Sequence, residues 1–218
     1  MSDYKQITDR LRQRLQQPLP GLTAQEKMMG RVVTMPLKVP DNARLSAVLC
    51  LLFPVNGELN VLLMKRREDK TAHSGQVSFP GGSKDKEDND LKATALREAW
   101  EEVGIHSSDF EVLGALTPLY IPVSNFHVFP FVAFAEKRLD YNLSQNEVSF
   151  TIEVPLTSLF HHERKTMTDV ISPAIPGVIR HVRAYKLDDG TIIWGATAMM
   201  LSELEAVIDE VTKATMNN

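Results

Sequence analysis

Apolar and polar positions change texture along the chain. Near the start, Ile7, Leu11 and Leu15 recur four apart in an otherwise polar stretch, which predicts a short amphipathic helix over residues 3–17, ended by Pro18 and Pro20. From Leu45 the pattern becomes strand-like. An apolar run over Leu45–Phe53 is followed, after the turn Pro54-Val55-Asn56-Gly57, by a second over Leu59–Met64, and the Asn-Gly pair suits a hairpin. The short alternating segment Gln76–Phe79 stops at Pro80-Gly81-Gly82. A polar loop then leads into Leu91–Val103, which has a helical period and ends at Gly104. Further strands are predicted over Phe110–Leu116, Val128–Phe134, Ser149–Val154, Val182–Leu187 and Thr191–Trp194, with a closing helix over Met199–Thr212. Strands and helices interspersed without repeats predict a mixed α/β or α+β domain.

Composition narrows this only a little. At 218 residues and 43% hydrophobic, the chain can bury one substantial core. A net charge of −4 argues against a protein that binds nucleic acid by neutralising phosphates. The single cysteine, Cys50, lies in the run Ala47–Phe53, where a small buried hydrophobe is expected, and no intramolecular disulfide can form. No window approaches the roughly eighteen apolar residues of a membrane span, and no apolar core follows Met1–Gln6, so a cytoplasmic setting is expected.

The charges that change the picture are acidic. At about 100° per residue, Glu98, Glu101 and Glu102 fall within one arc of the helix over Leu91–Val103, with Leu96, Trp100 and Val103 expected to form the opposite, packing side. Such a helix commonly just shows its charges to water. Here two local rules are broken. Glu98 and Glu102 are a like-charge pair four apart, and Glu101 and Glu102 occupy the negative end of the helix dipole. Mg²⁺ or Mn²⁺, which take carboxylate oxygens, would relieve both penalties.

The stretch Gly81–Ile105 resembles the Nudix box, G-x5-E-x7-R-E-U-x-E-E-x-G-U with U aliphatic. Arg97–Ile105 fits its second half, with Ala99 as a small first U. In the first half the strict glycine and glutamate positions hold Ser83 and Asn89, while Gly82 and Asp88, each one residue earlier, could fill those places. The resemblance implies a Nudix fold, a mixed sheet sandwiched between helices, in a domain spanning residues 41–218 behind an N-terminal helical extension over residues 1–40. It also implies that Glu98, Glu101 and Glu102 ligate metal and that Arg97 orients the glutamates.

Upstream, Leu62-Leu63-Met64-Lys65-Arg66 and His73–Gly82 resemble the signature of the coenzyme A pyrophosphatase branch, L-L-T-x-R-[SA]-x3-R-x3-G-x3-F-P-G-G, with Met64, Arg67 and Thr71 departing from it. Similarity continues at Asn146-Glu147-Val148, Val154–Leu159 and Ile193–Ala198. Substrate contacts are expected at Arg66, His73, Gln76, Gly81 and Gly82. Strand alternation sends Arg66 to the face opposite Lys65 and Arg67. Glu147 would add a carboxylate near the metals, and the proton acceptor could be Glu98, Glu101 or Glu147. Phe79, Phe126 and Trp194 are expected in the core.

The reaction implied is attack of water on the diphosphate of coenzyme A or a derivative, giving 4′-phosphopantetheine and adenosine 3′,5′-bisphosphate, with Mg²⁺ or Mn²⁺ as cofactor. The alternatives are a Nudix pyrophosphatase of ADP-ribose or NADH, and a non-catalytic Nudix-fold sensor. No nucleic-acid or membrane partner is expected, and a homodimer is among the assemblies admitted.

Overall fold

The computed structural model describes residues 2–29, 38–68, 73–171 and 177–216. Strands β1 (Arg44–Val55) and β2 (Glu58–Arg66) form the expected hairpin. Asn56 and Gly57 both take positive φ, 50° and 84°, the type I′ geometry that matches strand twist. β1 runs through the centre of an eight-stranded sheet: antiparallel to β2 and to β4 (Gly81–Ser83), and parallel to β7 (Phe126–Phe134). The sheet is completed by β3 (Val77–Ser78) and β8 (Val148–Pro155) on β2, and by β5 (Glu111–Ala115) and β6 (Leu119–Ile121) on β7. A smaller sheet holds β9 (Lys165–Ile171), β10 (Ile179–Lys186) and β11 (Ile192–Trp194), in the order β11-β10-β9.

Period-two alternation divides the core into two layers. From β1 and β2, Leu49, Leu51, Phe53, Leu62 and Met64 face helix α3 (Leu91–Val103) and meet its Ala99 and Val103. Their neighbours Cys50, Leu52, Val61 and Leu63 point the other way. They share a second cluster with Leu11 and Leu15 of α1 (Ser2–Leu15) and with Leu201, Leu204 and Val207 of α5 (Gly195–Met216). The helical N-terminal segment is therefore packed into the main core. Short helices α2 (Leu22–Gln25) and α4 (Leu156–Leu159) and 3₁₀ turns over Glu26–Met28 and His162–Arg164 connect the rest. Cys50 is a buried free thiol, as expected. No described helix is long and apolar enough to cross a membrane.

The expected helix faces need one correction. The buried residues of α3 are Thr94, Ala95, Ala99, Glu102 and Val103, while Trp100 is 47% exposed and sets its ring at a tilt against His106. Small residues bring the helix close to β1, and the large apolar Leu96 and Trp100 are left toward the rim. Three strands are not foreshadowed by the pattern. β4 and β6 are short and defined by pairing. β9 carries its large apolar residues, Met167 and Ile171, on the outside.

Candidate active site

The local structure around α3 explains how the acidic residues are held. Asp90 caps its N-terminus by accepting from the Ala93 amide at 2.7 Å. Gly104 ends it in the left-handed region, φ 73°, where a Cβ would also strike Asn142 at 2.7 Å. The last carbonyls of a helix need donors from outside. Here the amides of Asn142 and Ser144 donate to Val103 and Glu102 at 3.0 and 2.9 Å. That docking carries the following turn, and with it Glu147, to the acidic end of the helix. Arg67 secures the turn from β2: its amide donates to the Glu147 carbonyl at 2.8 Å and its guanidinium to the Gln145 carbonyl.

Arg97 is the hub of the helix. Its Nε and Nη2 meet the two oxygens of Asp88, each at 3.0 Å, its Nη1 reaches Glu98 at 3.0 Å and Glu101 at 2.9 Å, and Nη2 also donates to the Ser83 carbonyl at 3.0 Å. Asp88 additionally accepts from the Asp85 amide and the Thr94 hydroxyl, both at 2.9 Å. These bonds, the Arg97 pair foremost, hold its carboxyl well below the usual carboxylate range. The one-residue departure of Asp88 from the strict motif position thus leaves an acid bonded to the motif arginine.

Glu102 is enclosed, with its side chain 2% exposed. One oxygen accepts from the Gly81 amide at 2.7 Å and the other from Arg66 Nη1 at 3.2 Å. Burial pushes its carboxyl up to about 8 despite those two partners, with Glu98 and Glu147 adding repulsion. Burial raises Glu98 as well, opposed by Arg97 and assisted by Glu101 and Glu147. Gly82 makes room: a Cβ there would lie 2.5 Å from the Glu98 carboxylate. At Gly81, φ is 153° and a Cβ would lie 2.3 Å from the Ala47 carbonyl oxygen, so β4 can pair with β1 only without side chains at this point.

A cavity of about 820 Å³ opens over these groups. Of the residues singled out from the sequence, Arg66, His73, Gln76, Gly81, Gly82, Glu98, Glu102 and Glu147 all line it. His73 Nδ1 lies 3.2 Å from Gln76 Oε1. Arg97 and Glu101 are not part of the lining. Glu101 has a half-exposed side chain and rests against Arg97. Met64 is buried in the layer under α3, and Thr71 lies outside the described residues. Phe79 is in the core, as expected, and also reaches the cavity wall, while Phe126 and Trp194 are only partly buried and line the cavity. The Arg44 guanidinium sits 3.9 Å over the Phe126 ring and donates to the Ser124 carbonyl at 3.1 Å. Arg44, Ser78, Ser124 and Arg180 enter the wall from four separate segments, and no local motif marks them.

Among the described residues, no three acidic, histidine or cysteine side chains are drawn together to enclose an ion. Arg97 draws on Glu98 and Glu101, and Arg66 with Gly81 holds Glu102. The chemistry of the donors still fits a hard divalent cation. Glu98, Glu102 and Glu147 offer only oxygen, repel one another, and have one lining guanidinium, Arg66, bonded among them.

Comparison with known proteins gives consistent matches. A family model described as NUDIX domain matches residues 43–172. The chain is 35% identical over 150 residues to a protein named Uncharacterized Nudix hydrolase NudL from Pectobacterium atrosepticum, covering 69% of this chain and 76% of that one. A NudL protein from Yersinia enterocolitica is 35% identical over 147 residues, 67% of this chain and 73% of its own. Among solved structures, a MutT/nudix family protein from Enterococcus faecalis is similar with a TM-score of 0.50 and 16% identity, over 80% of this chain and 66% of that chain.

Proposed function

This chain belongs to the Nudix hydrolase family, and from that premise we propose that it hydrolyses the diphosphate of coenzyme A or a close derivative, giving 4′-phosphopantetheine and adenosine 3′,5′-bisphosphate. The observation that carries the reading is the convergence of Glu98, Glu102, Glu147, Arg66 and the Gly81-Gly82 strand on one cavity of about 820 Å³, a size suited to a nucleotide derivative. The choice of coenzyme A rests on the segment from Leu62 to Gly82, whose resemblance to the coenzyme A pyrophosphatase signature includes Arg66, Gln76, Phe79, Gly81 and Gly82 among the lining residues.

Glu98 and Glu102, with Glu101 at the exposed rim and Glu147 across from them, would hold Mg²⁺ or Mn²⁺. Bound there, such an ion supplies charge to offset the diphosphate and to acidify water. The protein's own part follows from its side chains. Arg66 presents a guanidinium beside Glu102 to a phosphate oxygen. Gly82 lets Glu98 lie against the β4 backbone in the cavity wall. Glu147 and Glu98 face the same space, and either can take the proton from the attacking water. Arg97, bonded to two acids of the helix and anchored on Asp88, sets where those carboxylates point.

The test is a panel of coenzyme A, ADP-ribose and NADH at equal concentration with Mg²⁺ or Mn²⁺, products identified by mass. Coenzyme A should give the highest kcat/KM and the two products named. A higher kcat/KM for ADP-ribose or NADH overturns the substrate, and no metal-dependent turnover of any of them overturns the reaction.

A further inference from the structure

Four enclosed side-chain polar atoms have no hydrogen-bond partner among the described residues: Ser78 Oγ, Ser124 Oγ, Tyr141 Oη and Arg180 Nε. Enclosed polar atoms are nearly always paired, because leaving one unpaired costs the full desolvation of the group. Ser78, Ser124 and Arg180 all belong to the wall of the one cavity that holds the carboxylates. Unpaired donors gathered in one wall point to a ligand that supplies the acceptors.

Arg180 is the charged member of this set. A guanidinium has five donors and no acceptor, so only an anion or several carbonyls can satisfy it. Several other arginines have carboxylates, Arg66 with Glu102, Arg97 with Asp88, Arg138 with Glu153 and Arg164 with Asp188, while Arg44, Arg67 and Arg183 donate to backbone carbonyls. Arg180 lies on β10, in the smaller sheet, opposite Val170 of β9. The carboxylates come from α3, the Ser144–Glu147 turn and, at Asp85, the loop between β4 and α3, and Arg66 comes from β2 of the larger sheet. A second cation, Arg44, begins β1, three residues or roughly 10 Å along the strand from Ala47, the partner of Gly82. Positive charge therefore enters the cavity wall from elements other than those that carry the acids. A ligand that answers both sets of groups has a diphosphate for the acids and a second anionic group for the arginine, and the planar fork of arginine matches phosphate oxygens.

We propose that Arg180 binds a phosphomonoester of the substrate, separate from the diphosphate that is cleaved, and so selects nucleotides that carry one. The inference rests on the functional reading above, since coenzyme A has such a group at the 3′ position of its ribose.

Binding and turnover test it together. Calorimetry compares adenosine 3′,5′-bisphosphate with AMP, which lacks the 3′-phosphate, on wild type, Arg180→Gln and Arg180→Lys. Kinetics compare coenzyme A with its 3′-dephospho form. Arg180→Gln should weaken bisphosphate binding about tenfold or more and leave AMP unchanged, while KM for coenzyme A rises, kcat stays, and the dephospho form is unaffected. Arg180→Lys, which keeps the charge and serves if the glutamine variant fails to fold, should retain part of the preference for the bisphosphate. Equal losses for bisphosphate and AMP, or no loss for either, overturn the assignment of Arg180. Wild type that prefers the bisphosphate through Arg180 yet leaves coenzyme A intact overturns the substrate reading and not this one. Cleavage of coenzyme A that Arg180→Gln leaves unchanged does the reverse.

Discussion

Asp88 contributes through what it does to Arg97. With both oxygens on the guanidinium and two further donors from Asp85 and Thr94, it anchors the cation that in turn bonds Glu98 and Glu101. Asp88→Asn keeps the shape but removes the charge and half of the bidentate pair. The loss should be roughly 1.5–3 kcal/mol of stability at pH 7, the range for hydrogen bonds to charged groups. Activity should fall about 10–100-fold, as when a partner of a metal ligand is disturbed. The pH dependence has a fixed sign. The folded-state carboxyl is held below its unfolded value of about 3.9, so its contribution is complete above that value and disappears as pH falls toward the folded-state value. Melting curves of wild type and Asp88→Asn should therefore lie apart at pH 5–7 and converge below pH 4. A gap that stays constant into acid would show that the charge on Asp88 is not what stabilises Arg97.

At the scale of elements, β4 and α3 make the site by approaching each other and β1 more closely than side chains ordinarily permit. The two glycines of β4 do this differently. A methyl at Gly81 would meet the β1 backbone, which cannot yield, and the residue also has positive φ. A methyl at Gly82 would first meet the flexible end of Glu98. Gly81→Ala should fail to give folded protein or melt far below wild type. Gly82→Ala should fold normally, by circular dichroism and melting, yet lose at least about tenfold in kcat/KM with a raised metal requirement, because Glu98 is displaced. The same two elements show what the sequence conveyed. The bounds of α3 are legible because the period and the Gly104 stop agree, and the structure adds the Asp90 cap at its start. Its buried face is not, because Leu96 and Trp100 are apolar and yet the close approach to β1 selects Ala95 and Ala99. Glu147 and the cavity role of Arg66 are legible from resemblance and strand alternation. The docking of Asn142 and Ser144 on the helix end is not, since amide donors have no sequence signature. Arg44, Phe126, Trp194 and Arg180 meet only through the pairing of distant strands.

For the whole molecule, the decisive quantity is the charge the fold concentrates in one place. A chain with net charge of only −4 brings Glu98, Glu102 and Glu147 to one cavity wall, and burial with mutual repulsion lifts the Glu102 carboxyl to about 8. The folded state without a cation holds these groups at a cost the unfolded chain does not share. Binding of Mg²⁺ or Mn²⁺ to the folded state alone should then stabilise the protein by about 2.7 kcal/mol at a hundredfold excess over Kd, roughly 5–10 °C in Tm for a chain of this size. Glu102→Gln separates the metal from the fold. Its carbonyl can still accept from the Gly81 amide, and it carries no charge to desolvate, so in chelator at pH 7 it should melt no lower than wild type. With excess Mg²⁺ the variant should show little of the wild-type rise in Tm and should lose most of its turnover. A variant that melts and turns over like wild type under both conditions would remove Glu102 from the metal site. One that collapses in chelator would make it a structural acid instead.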